Sequence, residues 1–314
     1  MNFDIRKHTI YKVVSGSHAY GFATEESDFD YRGVAIPPKE YFLGFSNIFE
    51  QYEQQTPEDI TIFDIRKFFK LAADCNPNVI ELLWIPEKWV LKRTKYIDTI
   101  LENRNLFLSK KVKYTYTGYA IAQLKRIQTH KQWLLNPVQK KPTRSNYGLP
   151  EVSIVGGGIR SILRAAEAEK IDLATIVSPQ MLDIVHREKM FFEAQKEYEH
   201  YETWKKQRNQ KRAVTENRYG YDLKHATHLV RLIRQCKEIL TTGTILVERP
   251  DKEEMISIRN GAWSYEQLLE YVKKEENGID ELCEKCTILP HHPNIDKLNN
   301  LCVQVVEDFL NKEG

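Results

Sequence analysis

No apolar run in this chain approaches the ~20 residues that a membrane-spanning helix needs. The opening MNFDIRKHTI carries no apolar signal core. Cysteine is scarce. Cys75, Cys236, Cys283, Cys286 and Cys302 are scattered and odd in number, which argues against a disulfide framework and for a reducing compartment. Net charge is almost missing. Lys and Arg total 46 against 44 for Asp and Glu, so bulk charge argues neither for nor against a nucleic-acid partner. There is no internal repeat. These absences set the expectation of a soluble cytoplasmic protein without membrane contact.

What is there supports a folded core. Apolar residues make up 41% of 314, enough for one large or two moderate domains. The N-terminal third reads as mixed α/β. Ile10–Val14 and Phe29–Ile36 read as strands, and Ile60–Phe63 as a third. Ile65, Phe68, Phe69 and Ala72 then fall at helical spacing, and Asn76-Pro77 breaks the run. VIELLW (79–84) reads as a further short helical piece. From about Asn103 the pattern is helical, at roughly 110–134, 159–170, 179–212, 221–241, 264–286 and 294–312. Thr244–Val247 is the best strand candidate in that part. The fold class expected is α+β, with a domain over 1–108 and a larger, mostly helical one over 109–314.

The chemistry concentrates in SGSHAYGFATEESDFDYRG, residues 15–33. A Gly-Ser turn after a strand frees backbone N–H groups and admits a phosphate closely. Eleven residues after Ser17 come Asp28 and Asp30. On a strand they share one face, where Arg32 can pair with them. At ~4 Å two carboxylates repel by about 1 kcal/mol in water and about 4 at an effective dielectric of 20. A divalent cation with hard oxygen ligands relieves that cost, and such an ion also takes substrate phosphates.

This stretch resembles the G-S-x(n)-D-x-D motif of the polymerase-beta-like nucleotidyltransferase superfamily. Finer features resemble its bacterial and phage branch labelled an RNA-repair-pathway polymerase-beta family. Four ordered blocks carry the likeness: Gly16–Gly21; Ser27–Val34; Lys67-Phe68 through Asn76-Pro77 to Glu81-Leu82-Leu83; and Gly220-Tyr221-Asp222 through Lys224 and His228 to Arg231-Leu232. Residues 136–215 match no block of that family and read as an insertion or lid region.

The resemblance implies that 1–108 is a polymerase-beta-like catalytic domain. It implies that Gly16 and Ser17 handle nucleotide phosphates and that Asp28 and Asp30 bind Mg²⁺ or Mn²⁺. It also implies a third carboxylate. Asp64 is the first choice and Asp59 the second, although Asp64 also stands where the N-cap of the next helix belongs. Lys224, Tyr221 and His228 are implied nucleotide-binding residues. The implied activity is metal-dependent transfer of a nucleotidyl group from an NTP, ATP first, to an acceptor hydroxyl. An RNA end is one acceptor, and a small molecule or protein is the alternative. A non-catalytic nucleotide- or RNA-binding protein is the reading from a different class.

Other patterns weigh less. Cys283-x-x-Cys286 with His291-His292 has zinc-like spacing, but inert cysteines are the default. Basic and aromatic residues interleave at Leu108–Trp133 and His200–Arg212, as in chains that stack bases, and equally as in ordinary amphipathic helices. SIVGGGIRS (153–161) lacks the Walker spacing and reads as a hinge or lid.

Overall fold

A computed structural model describes residues 3–25, 27–138, 140–155, 158–172, 178–208 and 210–313. Gly156 and Gly157, at the centre of the expected hinge, lie outside the described residues. The architecture is α+β. Five strands, β1 (Thr9–Ser15), β2 (Asp30–Ala35), β3 (Gln51–Gln54), β4 (Asp59–Asp64) and β5 (Val90–Arg93), form one sheet in the order β3-β4-β2-β1-β5. Only β2 and β4 run parallel. The polar QYEQ of β3 and the short VLKR of β5 carry little apolar signal and are not legible as strands in the sequence.

Helices α1 (Ile5–His8), α2 (Gly16–Tyr20), α3 (Glu40–Leu43), α4 (Ile65–Ala73), α5 (Pro77–Ile80) and α6 (Lys95–Glu102) accompany the sheet. The long helices follow: α7 (Lys111–Leu135), α8 (Ile159–Ala168), α9 (Pro179–Gln207), α10 (Gln210–Tyr219), α11 (Leu223–Thr242), α12 (Lys252–Arg259), α13 (Tyr265–Lys285) and α14 (Ile295–Glu313). Among the described residues no helix is long and apolar enough to cross a membrane. Thr244–Val247 is not a strand. Ile245 and Val247 are buried, but the backbone finds side chains instead of a ladder: Gln235 and Arg249 donate to Leu246 O.

The chain forms two compact units. One comprises 1–128 and 221–314, the other 129–220. The second is helical. Its aromatic cluster gathers His130, Trp133, Tyr201 and Trp204, and Arg144 grips the fully buried Glu188 through both carboxylate oxygens.

Within the first unit, α2 follows β1 without a loop. Gly16 turns the chain at φ +69°, and Gly21 ends the helix at φ +82°, both left-handed positions that suit glycine. Beneath α2 lies a buried polar tie. Tyr20 donates to Glu81 Oε1 (2.6 Å), and Arg231 of α11 donates to Glu81 Oε2 (3.1 Å) and to Gln235 Oε1 (2.7 Å). The Arg231 guanidinium also lies 4.0 Å over the Tyr20 ring. Glu81 and Arg231 are each 2% exposed. Burial holds the Glu81 carboxyl above its usual range and the Tyr20 hydroxyl well above its own, and Arg231 opposes both shifts. The chain after α2 is held as well. Arg249 N donates to Tyr20 O, and Arg259 donates to Phe22 O.

Removing one partner of a buried ion pair costs about 3–5 kcal/mol, because the other is left uncompensated. Arg231→Met is therefore expected to lose stability on that scale in urea unfolding. Tyr20→Phe, which strips one bond from a buried carboxylate, should lose about 1–3 kcal/mol. Arg231→Met combined with Glu81→Met should recover much of the single-variant loss. Strictly additive losses would mean that the pair is not coupled.

Candidate active site

Strand register builds the carboxylate cluster. Asp30 opens β2 and stands directly beside Asp59, which opens the parallel β4. Paired residues on neighbouring strands share a face ~4.8 Å apart. Arg32, two residues on, reaches back to Asp59 at 3.1 Å and also donates to Tyr31 O. Asp28 is exposed and precedes the strand, which begins one residue later than the sequence pattern implies. All three aspartates line a cavity of about 770 Å³, together with Ser27, Glu53, Glu58 and Thr61. That volume lies within the ~300–1,000 Å³ of ordinary ligand sites.

Burial holds the Asp30 carboxyl above its usual range. Arg32 and Lys224 pull it down, while the neighbouring Asp59 pushes it up. A carboxylate desolvated beside another carboxylate is poised for a cation. The Gly-Ser turn lies against the same group. Ser15 pairs with Asp30 across the strands, and a Cβ built on Gly16 would collide with Asp30 Oδ2. Only glycine leaves that space open. The Ser17 hydroxyl, half-buried on the first turn of α2, takes no partner among the described residues.

Asp64 is elsewhere. Five residues along β4 from Asp59, it is on the opposite face and pairs with Ala35 rather than with a carboxylate. It is 1% exposed, accepts from Arg66 N at 2.7 Å as N-cap of α4, and takes the Arg66 side chain on both oxygens. The capping role that the sequence offered as a competing reading, with the Arg66 ion pair, accounts for the bonds its side chain makes.

Helix α11 contributes unevenly. Lys224 is exposed, and its charge reaches Asp30. A cation in the first turn of a helix opposes the macrodipole, so the helix itself gains nothing from it there. His228 has a buried Nε2 without a hydrogen-bond partner. Burial, then Arg231, His225, Lys224 and Arg126, lower its pKa to about 2, so the ring is neutral at ordinary pH. Tyr221 is 1% exposed and donates to Trp263 O at 2.7 Å. Its hydroxyl is thus engaged within the fold, and burial raises its pKa to about 12.

Sequence reasoning gave no role to Glu81 and a minor one to Arg231. The signal was present: Glu81 is the one charge in the apolar run VIELLW. The weaker patterns resolve into structure. Among the described residues, Cys283, Cys286, His291 and His292 do not bring ligand atoms together around one point. In the basic-aromatic run of α7, Tyr116 is fully buried and Lys111 and Lys113 pair with Asp74 and Asp280.

Residues 4–140 match the model of a protein family described as RlaP, the RNA repair pathway DNA polymerase beta family. An uncharacterized 38.9 kDa protein from the nrdC-mobD intergenic region of Enterobacteria phage T4 is 32% identical over 130 residues, 37% of this chain and 37% of that one. The uncharacterized protein YcgL of Bacillus subtilis strain 168 is 33% identical over 76 residues, 24% of this chain and 29% of YcgL. The match spans about a third of the length of these relatives. No solved structure matches. The family match covers the sheet, α2 and every carboxylate of the cavity, and it stops before α11. Over residues 4–140, the chain is similar to the RNA repair pathway DNA polymerase beta family.

Proposed function

We propose that the protein is a metal-dependent nucleotidyltransferase. It moves a nucleotidyl group from an NTP, ATP being the first to test, to an acceptor hydroxyl such as an RNA end. The observation that carries this reading is the Asp30–Asp59 pair with the Gly16 turn packed against Asp30. Hard carboxylate oxygens beside a backbone turn fit Mg²⁺ or Mn²⁺ shared with substrate phosphates. Asp28, Asp30 and Asp59 would hold the ion, which when bound neutralises charge on the phosphates. Asp59 is the third carboxylate in this reading, and Asp64 belongs to the fold.

The remaining roles follow from placement. Gly16 and Ser17 offer the turn to the triphosphate, and Lys224 supplies a point charge near it. Arg32 fixes the Asp59 carboxylate. The acceptor oxygen bonds to the α-phosphorus, its proton leaves toward a carboxylate, and the bond to pyrophosphate breaks. Catalysis is then mostly positioning and charge neutralisation. Glu53 and Glu58 on the cavity wall favour a second reading, in which the hydroxyl acceptor is a cationic small molecule or protein segment.

Labelled NTPs with Mg²⁺ or Mn²⁺, offered RNA and small hydroxyl compounds, test the reaction. Asp30→Asn and Asp59→Asn are expected to lower transfer by about 100-fold or more. Asp64→Asn should keep the helix cap, lose the ion pair with Arg66, and keep its turnover per folded molecule. Loss of turnover in Asp64→Asn with survival in Asp59→Asn would reverse the assignment.

Protonated Asp30 cannot ligate, and its pKa is raised. Mg²⁺ affinity, measured by calorimetry, should therefore begin to fall above the ordinary aspartate range of ~4 as pH drops. Arg32→Gln removes a lowering influence and should move that fall to higher pH. An affinity that stays flat down to pH ~4 would contradict the Asp30 assignment.

A further inference from the structure

The opposite face of β2 carries a second arrangement, which the transfer chemistry leaves unused. Phe29 stands between Asp28 and Asp30. The His18 ring stacks on it at 3.9 Å between centroids and 7° between planes. Tyr31 continues the series at 6.2 Å and 15°, and the Lys12 ammonium lies 4.6 Å over the Tyr31 ring. The His18 Nε2–H donates to Ser27 O, which fixes the first ring. Phe29 is 45% exposed, although a phenylalanine with only a structural role gains by being covered. Phe29 and Tyr31 both line the cavity that holds the aspartates.

The lysines extend the row. Lys92 of β5 stands directly opposite Lys12 of β1, on the sheet face that Tyr31 shares. Like charges directly opposite weaken a sheet. Among the described residues neither lysine pairs with a carboxylate, and Lys92 donates only to Arg6 O. A phosphate would remove the repulsion, and the adjoining rings would take the base attached to it.

We propose that His18, Phe29, Tyr31, Lys12 and Lys92 form a track for the terminal nucleotides of single-stranded RNA. Bases stack at the ring end, beside the catalytic aspartates, and phosphates lie against the lysine pair. Near-parallel rings joined to unneutralised cations suit a single strand, whose bases are free to stack. A duplex hides those faces. An acidic peptide would use the lysines and leave the rings idle. The use of the bound end as acceptor rests on the transferase reading, whereas the binding does not.

The test is fluorescence anisotropy of a short labelled oligouridylate with the full chain at several salt concentrations. The wild-type chain is expected to bind it more tightly than a duplex of the same length. Phe29→Leu should weaken binding by about 5-fold or more, and Tyr31→Phe, which keeps the ring, should not. Lys12→Gln with Lys92→Gln should reduce the salt slope by about 1.4, corresponding to two phosphates. The lysine double variant carries the test if thermal melting shows Phe29→Leu to be unfolded. No binding by the wild type overturns the track, as does equal binding of the duplex or of polyglutamate. So does unchanged binding in the folded Phe29→Leu or lysine variants. Asp30→Asn should abolish transfer and still bind the RNA, so failure of the chemistry and failure of the track are read separately.

Discussion

The Gly-Ser turn beside the candidate site depends on one buried charge pair. Glu81 and Arg231 are both sealed from solvent, and between them they fix Tyr20, the last residue of α2. A desolvated carboxylate tolerates only a narrow set of arrangements, because each unmet lone pair costs what water would have supplied. Here one oxygen takes a hydroxyl and the other a guanidinium. That accounting is complete only when α2 ends where it does. The Gly-Ser turn at the front of α2 is therefore positioned from behind, by charge, rather than by the five residues of the helix alone. The same pair joins three separated motif blocks, around Tyr20, Glu81 and Arg231.

The carboxylates in front obey the opposite logic. Asp30 and Asp59 are placed side by side by parallel register, and the fold supplies one near cation, Arg32, to Asp59. His228 of α11 is held neutral, so it brings no charge of its own. Lys224 sits where a helix gains least from a cation. At Glu81 the buried charge is met by a direct ion pair, whereas Asp30 and Asp59 stand beside each other on a cavity wall with Arg32 bonded to Asp59 alone. The contrast between these two layers separates the group that builds the site from the group that uses it.

Much of this was legible in the residues. The β-branched runs gave β1, β2 and β4. The 65–72 spacing gave α4, and the helices after Asn103 fell close to their periodic patterns. The turn and the aspartate motif, singled out in the sequence, lie against each other in the structure. The third carboxylate was ambiguous because parity says only that Asp59 and Asp64 face opposite ways. Which face is shared with Asp30 depends on strand pairing, a long-range fact that neither segment encodes. The hydroxyl of Tyr221, just before α11, donates to Trp263 O, likewise a long-range fact that its motif does not encode. The edge strands β3 and β5 were invisible because they are short and polar, and Thr244–Val247 had strand-forming residues without a strand to join. Phe29 was read only as the first residue of a strand. Its exposure and its ring stack need a residue eleven positions earlier, His18, to be seen beside it.

The first compact unit is written in two pieces, 1–128 and 221–314, with the second unit encoded between them. During synthesis Tyr20 and Glu81 therefore leave the ribosome long before Arg231, which lies 150 residues after Glu81. Until then the carboxylate beneath α2 has no counter-charge, and its burial is unfavourable. The stretch that carries the family likeness, 4–140, consequently holds only part of the first unit. The helix behind the Gly-Ser turn gains its tie to α11 only when that distal helix arrives, so a truncated chain would carry the motif without that tie.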